Sequence, residues 1–235
     1  MKISQGLLRD FYDPNYCSVK WDTIYNKGHR FPPTDAMING LVFEQLVIGE
    51  SRGGEIYEIP KLKNGKVSKR ESDIIDLSNS AKKVMKSLDI KLLDVQPEWE
   101  VDNLSGHPDA LIEWKGEKCI FDLKFTGTKE DDSCKFNPYA WGKDLEYKDF
   151  SQAIHYVEMY YRMYGEYLPF FYLVFGKSGW VKFINVDISS ESMNNHRKKI
   201  NQFENDIKDF IPKKCDNFRC EYCKHEKPNL IIVNT

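Results

Sequence analysis

The sequence predicts an α/β fold in which a central mixed β-sheet is flanked by helices. Three observations predict it. Apolar residues recur at helical spacing over residues 78–88 and 151–164. Apolar-rich strand candidates lie between these helices, at residues 91–101, 109–114 and 119–125. Two more, at 169–175 and 180–186, follow the second helix. Helix, strands, helix, strands is the order of a mixed sheet packed against helices. The 235 residues suit one domain, 1–235, with an ample core.

Each element has a local reason. An N-terminal segment, residues 3–21, carries Cys17. Pro32-Pro33-Thr34 leads into a helix over residues 35–48, with Thr34 as N-cap and Gly49 at its end. Residues 53–72 are charged and turn-rich and read as a loop or weak hairpin. The helix over 78–88 is marked by Ala81, Val84, Met85 and Leu88. Lys115-Gly116-Glu117-Lys118 separates two strands as a short turn. Residues 127–148 are polar and irregular, a loop placed to lie over a site. Helix 151–164 stops at Gly165, with Ala153, Val157, Tyr160, Tyr161 and Tyr164 as its expected buried stripe. Gly176-Lys177-Ser178-Gly179 joins the last two strands. A helix over 190–210, stopped by Pro212, precedes a cysteine-rich tail.

With 34 basic and 36 acidic residues, the net charge of −2 excludes a nucleic-acid binder held by bulk charge. No leader and no span-length apolar run is visible, so a cytoplasmic protein is expected, with no membrane partner. Cysteines in that compartment are more often metal ligands or core residues than disulfides.

The chemistry concentrates in the hairpin. Pairing Lys115 with Lys118 would put Trp114 opposite Cys119 and Asp109 opposite Lys124. Asp109, Asp122 and Lys124 then share one face, and Phe121, Leu123 and Phe125 point to the other. Two close carboxylates repel unless a divalent cation lies between them. Asp109 and Asp122 are thus candidate Mg²⁺ or Mn²⁺ ligands, with the Leu123 carbonyl as a further one. Lys124 would stand beside the attacking water and the scissile phosphate. Taken alone, the hairpin fits a solvated charged face equally well.

Glu44 sits in an otherwise apolar helix, one turn after Gly40, and reads as a metal ligand, an ion-pair partner or a rim residue. Close packing of the helix on the sheet would explain Gly40. Gln152 and Tyr156, one turn apart, offer an amide and a ring to a phosphate or base.

Together, Gly40-x-x-x-Glu44, Gly106-His107-Pro108-Asp109, Asp122-Leu123-Lys124 and Gln152-x-x-x-Tyr156 resemble the PD-(D/E)xK nuclease superfamily, RecB-like branch. The Glu44 position is often histidine in that branch; His107 is read as structural or as a support to the site. The resemblance implies a restriction-endonuclease-like core over about residues 34–190. It also implies metal-dependent DNA hydrolysis, with Gln152 and Tyr156 near the substrate. Single-stranded DNA ends are the expected substrate, and an exonuclease the expected mode. A structure-specific endonuclease and a cluster-bearing DNA-binding or assembly subunit are the alternatives. Partner proteins in recombination, repair, phage or CRISPR complexes fit the same resemblance.

Cys215-x4-Cys220-x2-Cys223 suggests metal. His225 follows Cys223 too closely to be an easy fourth ligand. One N-terminal and three C-terminal cysteines resemble the iron–sulfur staple of RecB-like exonucleases found with CRISPR systems. That resemblance implies a [4Fe–4S] cluster on Cys17, Cys215, Cys220 and Cys223, carried by residues 3–21 and 211–226, with Zn²⁺ as the alternative. Cys119 and Cys134 are left out, one in the sheet and one in the loop. Arg197-Lys198-Lys199 and Lys213-Lys214 read as solvated helix or phosphate contacts. Tyr139, Trp141 and Tyr147 read as loop packing or base-stacking groups.

Overall fold

In the computed structural model, which describes residues 1–50, 54–61, 64–217 and 220–223, the apolar run through Phe121 forms the middle strand of a five-stranded sheet. The strands are β1 (Lys91–Val95), β2 (Trp99–Val101), β3 (Leu104–Gly106), β4 (Ala110–Trp114), β5 (Glu117–Thr126), β6 (Phe170–Gly176) and β7 (Val181–Val186). The main sheet runs β1-β4-β5-β6-β7. Within this sheet, among the described residues, only β5 and β6 pair in parallel, because the chain crosses between them through a helix. Every residue of β6 is buried, as a strand covered on both faces requires.

Among the described residues, six α-helices cover the sheet: α1 (Gln5–Tyr12), α2 (Ser18–Trp21), α3 (Asp35–Ile48), α4 (Lys69–Ser87), α5 (Ser151–Tyr164) and α6 (Ser190–Asp206). A π-helical turn, Asp22–Asn26, extends α2, and a 3-10 turn, Ile207–Asp209, follows α6. Phe43, Val47, Ile74, Ala81 and Met85 from α3 and α4 pack on one sheet face, against Ile112, Phe121, Leu123 and Phe175. Leu7, Val157, Tyr160, Ile200 and Phe203 from α1, α5 and α6 pack on the other, with Ile120, Tyr172 and Val174. Among the described residues, no helix is long and apolar enough to cross a membrane.

Several expectations are corrected. The β4–β5 turn has two residues, not four. Trp114 pairs with Glu117, and Lys115 (φ 53°) and Gly116 (φ 81°) are both left-handed, as a tight hairpin turn demands. The register is therefore two residues away from the expected one. The 91–101 candidate breaks at Gln96, and its second half pairs with β3 in a separate small sheet. Ile3 bridges to Leu104 beside that sheet. α4 starts nine residues before the expected 78, because the Ser68 hydroxyl caps the Glu71 amide at 3.1 Å. Gly40 faces open space and is not explained by close packing. Close approach occurs instead at Gly106, where a Cβ would meet the Tyr156 ring at 2.8 Å.

Tyr161 and Tyr164 are exposed, and α5 buries His155, Tyr156 and Glu158 instead. Burial pushes His155 down to about 4 and His196 down to about 3, so both rings are neutral. The Ser105 carbonyl can only accept, so His155 donates from Nε2 (3.1 Å) and accepts at Nδ1 from His196 Nε2 (3.1 Å). Buried Glu158 takes Arg162 Nε at 2.8 Å and Arg197 through both Nε and its terminal nitrogen, at 2.9 and 2.8 Å. Arg197, itself half-buried, is thus the ion-pair partner of an interior carboxylate rather than part of a wholly solvated face.

Candidate active site

Carried one residue beyond β4, the hairpin register puts Asp109 opposite Asp122. Lys124 lies two residues further along β5 on the same face. A two-residue slip leaves facing unchanged, because side chains alternate with period two. Asp109, Asp122 and Lys124 thus share a face as expected, but the acids oppose each other.

Both carboxylates are buried. Asp109 Oδ2 accepts the Leu123 amide at 2.7 Å, which ties the end of β4 to β5. Asp122 forms an ion pair with Lys124 through Oδ1, and its Oδ2, also buried, has no partner among the described residues. A buried carboxylate oxygen without a partner is costly. Burial lowers the pKa of Lys124, but Asp122 and then Asp109 outweigh it, and the net shift is upward. The side chain, 26% exposed, is therefore held as an ammonium.

Glu44 lies on α3, over the opposite sheet face, and accepts from Gln96 Nε2. Gln96 (φ 51°) also donates its amide to the Asp109 carbonyl at 2.9 Å. Glu44 is thus linked to the acid pair through Gln96, a residue with no signal in the sequence. The Leu123 side chain points into the α3–α4 core.

Gln152 and Tyr156 share one face of α5, where Gln152 Nε2 donates to the Tyr156 oxygen at 3.3 Å. The Tyr156 hydroxyl donates to the His107 carbonyl at 3.0 Å, and Tyr172 donates to Gln152 Oε1 at 3.4 Å. This chain of bonds joins α5 to the turn before Asp109 and to β6. Tyr172 is the register partner of Asp122.

A buried acid pair with an unsatisfied oxygen beside a cation is a donor set suited to a hard divalent ion. Asp109 and Asp122 would hold it.

Cys17, Cys215, Cys220 and Cys223 form a second centre, whose sulfurs all lie within 4.8 Å of one another. Cys17 to Cys223 is 3.4 Å, and Cys215 to Cys223 and Cys220 to Cys17 are each 3.6 Å. These separations are far beyond a disulfide's roughly 2.05 Å. The Ser18 hydroxyl adds bonds to the carbonyl and amide of Lys213 at 2.8 and 2.9 Å, so the N- and C-terminal segments are joined. Phe218, Arg219 and residues 224–235, including His225, lie outside the described residues. Cys119 and Cys134 are buried elsewhere, and Cys134 accepts the Tyr147 amide at 3.2 Å.

The segment from Gly127 to Phe150 lies against the site. Trp141 packs edge-on to Tyr172, with ring centroids 4.8 Å apart, while Tyr139 and Tyr147 are exposed.

No family model matches the chain, and no curated protein matches it. Among solved structures, it is similar to a protein of Eubacterium rectale described as a "putative exonuclease". The TM-score is 0.68 at 16% identity, over 99% of this chain and 91% of that one. A second structure, SSO0001, aligns at a TM-score of 0.30 and 13% identity, over 93% of this chain and 94% of that one, too low to bear on the fold. The first likeness is one of fold.

Proposed function

We propose that this chain is a divalent-metal-dependent DNA nuclease of the PD-(D/E)xK, RecB-like type. It hydrolyses phosphodiester bonds at single-stranded DNA ends as an exonuclease, with residues 1–235 as one nuclease domain. The observation that carries the reading is the buried Asp109–Asp122 pair with its unsatisfied oxygen beside Lys124. The fold of the Eubacterium rectale protein and its description are consistent with it.

In this reading Asp109 and Asp122 would hold Mg²⁺ or Mn²⁺, with the Leu123 carbonyl as a further ligand; Glu44, joined to the Asp109 backbone through Gln96 just past the end of β1, would complete the set from the α3 side. The bound ion supplies charge neutralisation and an activated water. Lys124, an ammonium, would donate to the scissile phosphate and steady the developing charge. Gln152 and Tyr156 shape the wall next to the substrate. The test is cleavage of end-labelled linear and circular DNA, single- and double-stranded, with Mg²⁺ or Mn²⁺. Loss of linear single strands from their ends is expected. Cutting of the circle would instead favour a structure-specific endonuclease. Metal-loaded protein that binds DNA but cuts none would favour a DNA-binding or assembly subunit.

The four cysteines hold metal in the same reading. The resemblance favours a [4Fe–4S] cluster. The sulfur spacing favours one ion: a Zn–S bond of about 2.3 Å sets tetrahedral sulfurs about 3.8 Å apart. A cubane holds its four thiolates wider, so the four cysteine sulfurs would have to move apart to take one. Anaerobically purified protein should be brown and contain iron and sulfide if the cluster is present. Colourless protein with one equivalent of zinc would assign the single ion.

A further inference from the structure

Lys148 stands three residues before the start of α5, half-buried, with no role in the chemistry described so far. Its Nζ lies 4.0 Å from the Trp141 ring centroid and donates to the Pro138 carbonyl at 3.1 Å. Trp141 in turn packs on Tyr172, and the Lys124 ammonium lies 5.8 Å from that ring. The two lysines thus flank one aromatic pair beside Asp122. We infer that Lys148 is a second phosphate-binding cation of this site, gripping a backbone phosphate next to the bond to be cut while Tyr139 offers its ring to a base. This deepens the nuclease reading and rests on it.

Four observations support the inference. First, an ammonium has three donors, and the Pro138 carbonyl takes one. Among the described residues, no carboxylate lies within 4.0 Å of the Lys148 ammonium, whereas Lys124 has Asp122. Second, the charged and titratable groups around Lys148 include Asp149, Lys124, Cys134 and Arg9, with the Tyr139 ring beside them. Burial, with Lys124 and Arg9 adding to it against Asp149, lowers Lys148 to about 8. A phosphate is the ligand that relieves such crowding of cations.

Third, the loop that carries Lys148 is built rather than loose. Cys134 N donates to the Asp144 carbonyl at 3.1 Å, and Ser133 Oγ to Asp144 Oδ2 at 2.9 Å. Asp149 N reaches the Pro138 carbonyl at 3.0 Å, and Trp180 Nε1 the Thr128 carbonyl at 3.2 Å. Fourth, Tyr139 is 48% exposed, with Arg9 at 5.5 Å and Lys148 at 6.0 Å from its ring. A cation beside an open aromatic face is the pairing that single-stranded nucleic acid uses.

The test is equilibrium binding of a fluorescein-labelled oligothymidylate to the full chain, followed by anisotropy with Ca²⁺ in place of Mg²⁺ to hold off cleavage. Lys148→Ala should bind about tenfold more weakly, the loss of one charge-assisted contact. Its logarithmic salt slope should fall by about 0.7, the share of one phosphate on a single strand. Lys148→Arg should keep both affinity and slope. Raising the pH from about 7 to about 9 should weaken the wild type, whose Lys148 loses its proton, and leave Lys148→Arg nearly unchanged. If Lys148→Ala binds with unaltered affinity and slope while the wild type cleaves DNA, Lys148 only caps Trp141. The inference then falls and the nuclease reading stands. If both variants lose affinity equally with the slope kept, the role is structural and the inference falls. A wild type that neither binds nor cuts DNA overturns both.

Discussion

Lys124→Ala should lose metal-dependent DNA cleavage by at least about a hundredfold, the usual scale for removing a positioned proton donor or charge stabiliser. Initial rates on an end-labelled single strand with Mn²⁺ measure it. The same change removes the ion-pair partner of Asp122, a fully buried carboxylate facing Asp109. The metal-free variant should therefore unfold at a lower temperature than the wild type, because an uncompensated buried charge is costly. Mn²⁺ should restore stability by binding the acid pair and should not restore cleavage. Wild-type rates from the variant would remove Lys124 from the chemistry. Normal metal-free stability would show that the ion pair with Asp122 contributes little.

Glu158→Ala should destabilise the fold by about 3–5 kcal/mol, the range for breaking a buried ion pair by removing one partner. Glu158 is 1% exposed and holds both Arg162 and Arg197, so truncation leaves two half-buried guanidiniums beside an emptied space without their shared carboxylate. Arg162 also reaches Asp102, and Arg197 reaches the Tyr167 hydroxyl at 2.8 Å. The charge thus joins α5 and α6 to the turn between β2 and β3. Urea denaturation gives the value, and cleavage per folded molecule should be unchanged. A cost below about 1 kcal/mol would be that of a surface pair.

The parts of this fold legible in the sequence are those set by neighbours along the chain. Thr34 and Gly49 mark the ends of α3 because a cap is a local hydrogen bond and a left-handed stop is a local dihedral. Gly165 ends α5 for the same reason. The site face of β4 and β5 was legible although the register was not. Lys115-Gly116 lacks the Asn-Gly signature of a tight hairpin, yet a slip of two residues leaves each side chain on its own face. Ser68-x-x-Glu71 was present as a helix start, masked by the charged, turn-rich residues around it.

The rest depends on contacts distant in sequence. Arg197 meets Glu158 across 39 residues, Gln96 meets Glu44 across 52, and Cys17 meets Cys223 across 206. The buried arc of α5 is set by α1, α6 and the small sheet, which turn Tyr161 and Tyr164 outward and His155 and Glu158 inward. Lys148 is one lysine among many until the folded loop sets it on Trp141.

The central claim is that the Asp109–Asp122 pair is a binding site for a divalent cation. Calorimetric titration of Mn²⁺ into the wild type and Asp122→Asn tests it most directly, because the substitution keeps the shape of the side chain and removes its charge. Saturable binding to the wild type is expected, lost or greatly weakened in Asp122→Asn, with the cysteine centre unaffected. Equal binding by the two proteins, or no binding by the wild type, would contradict it.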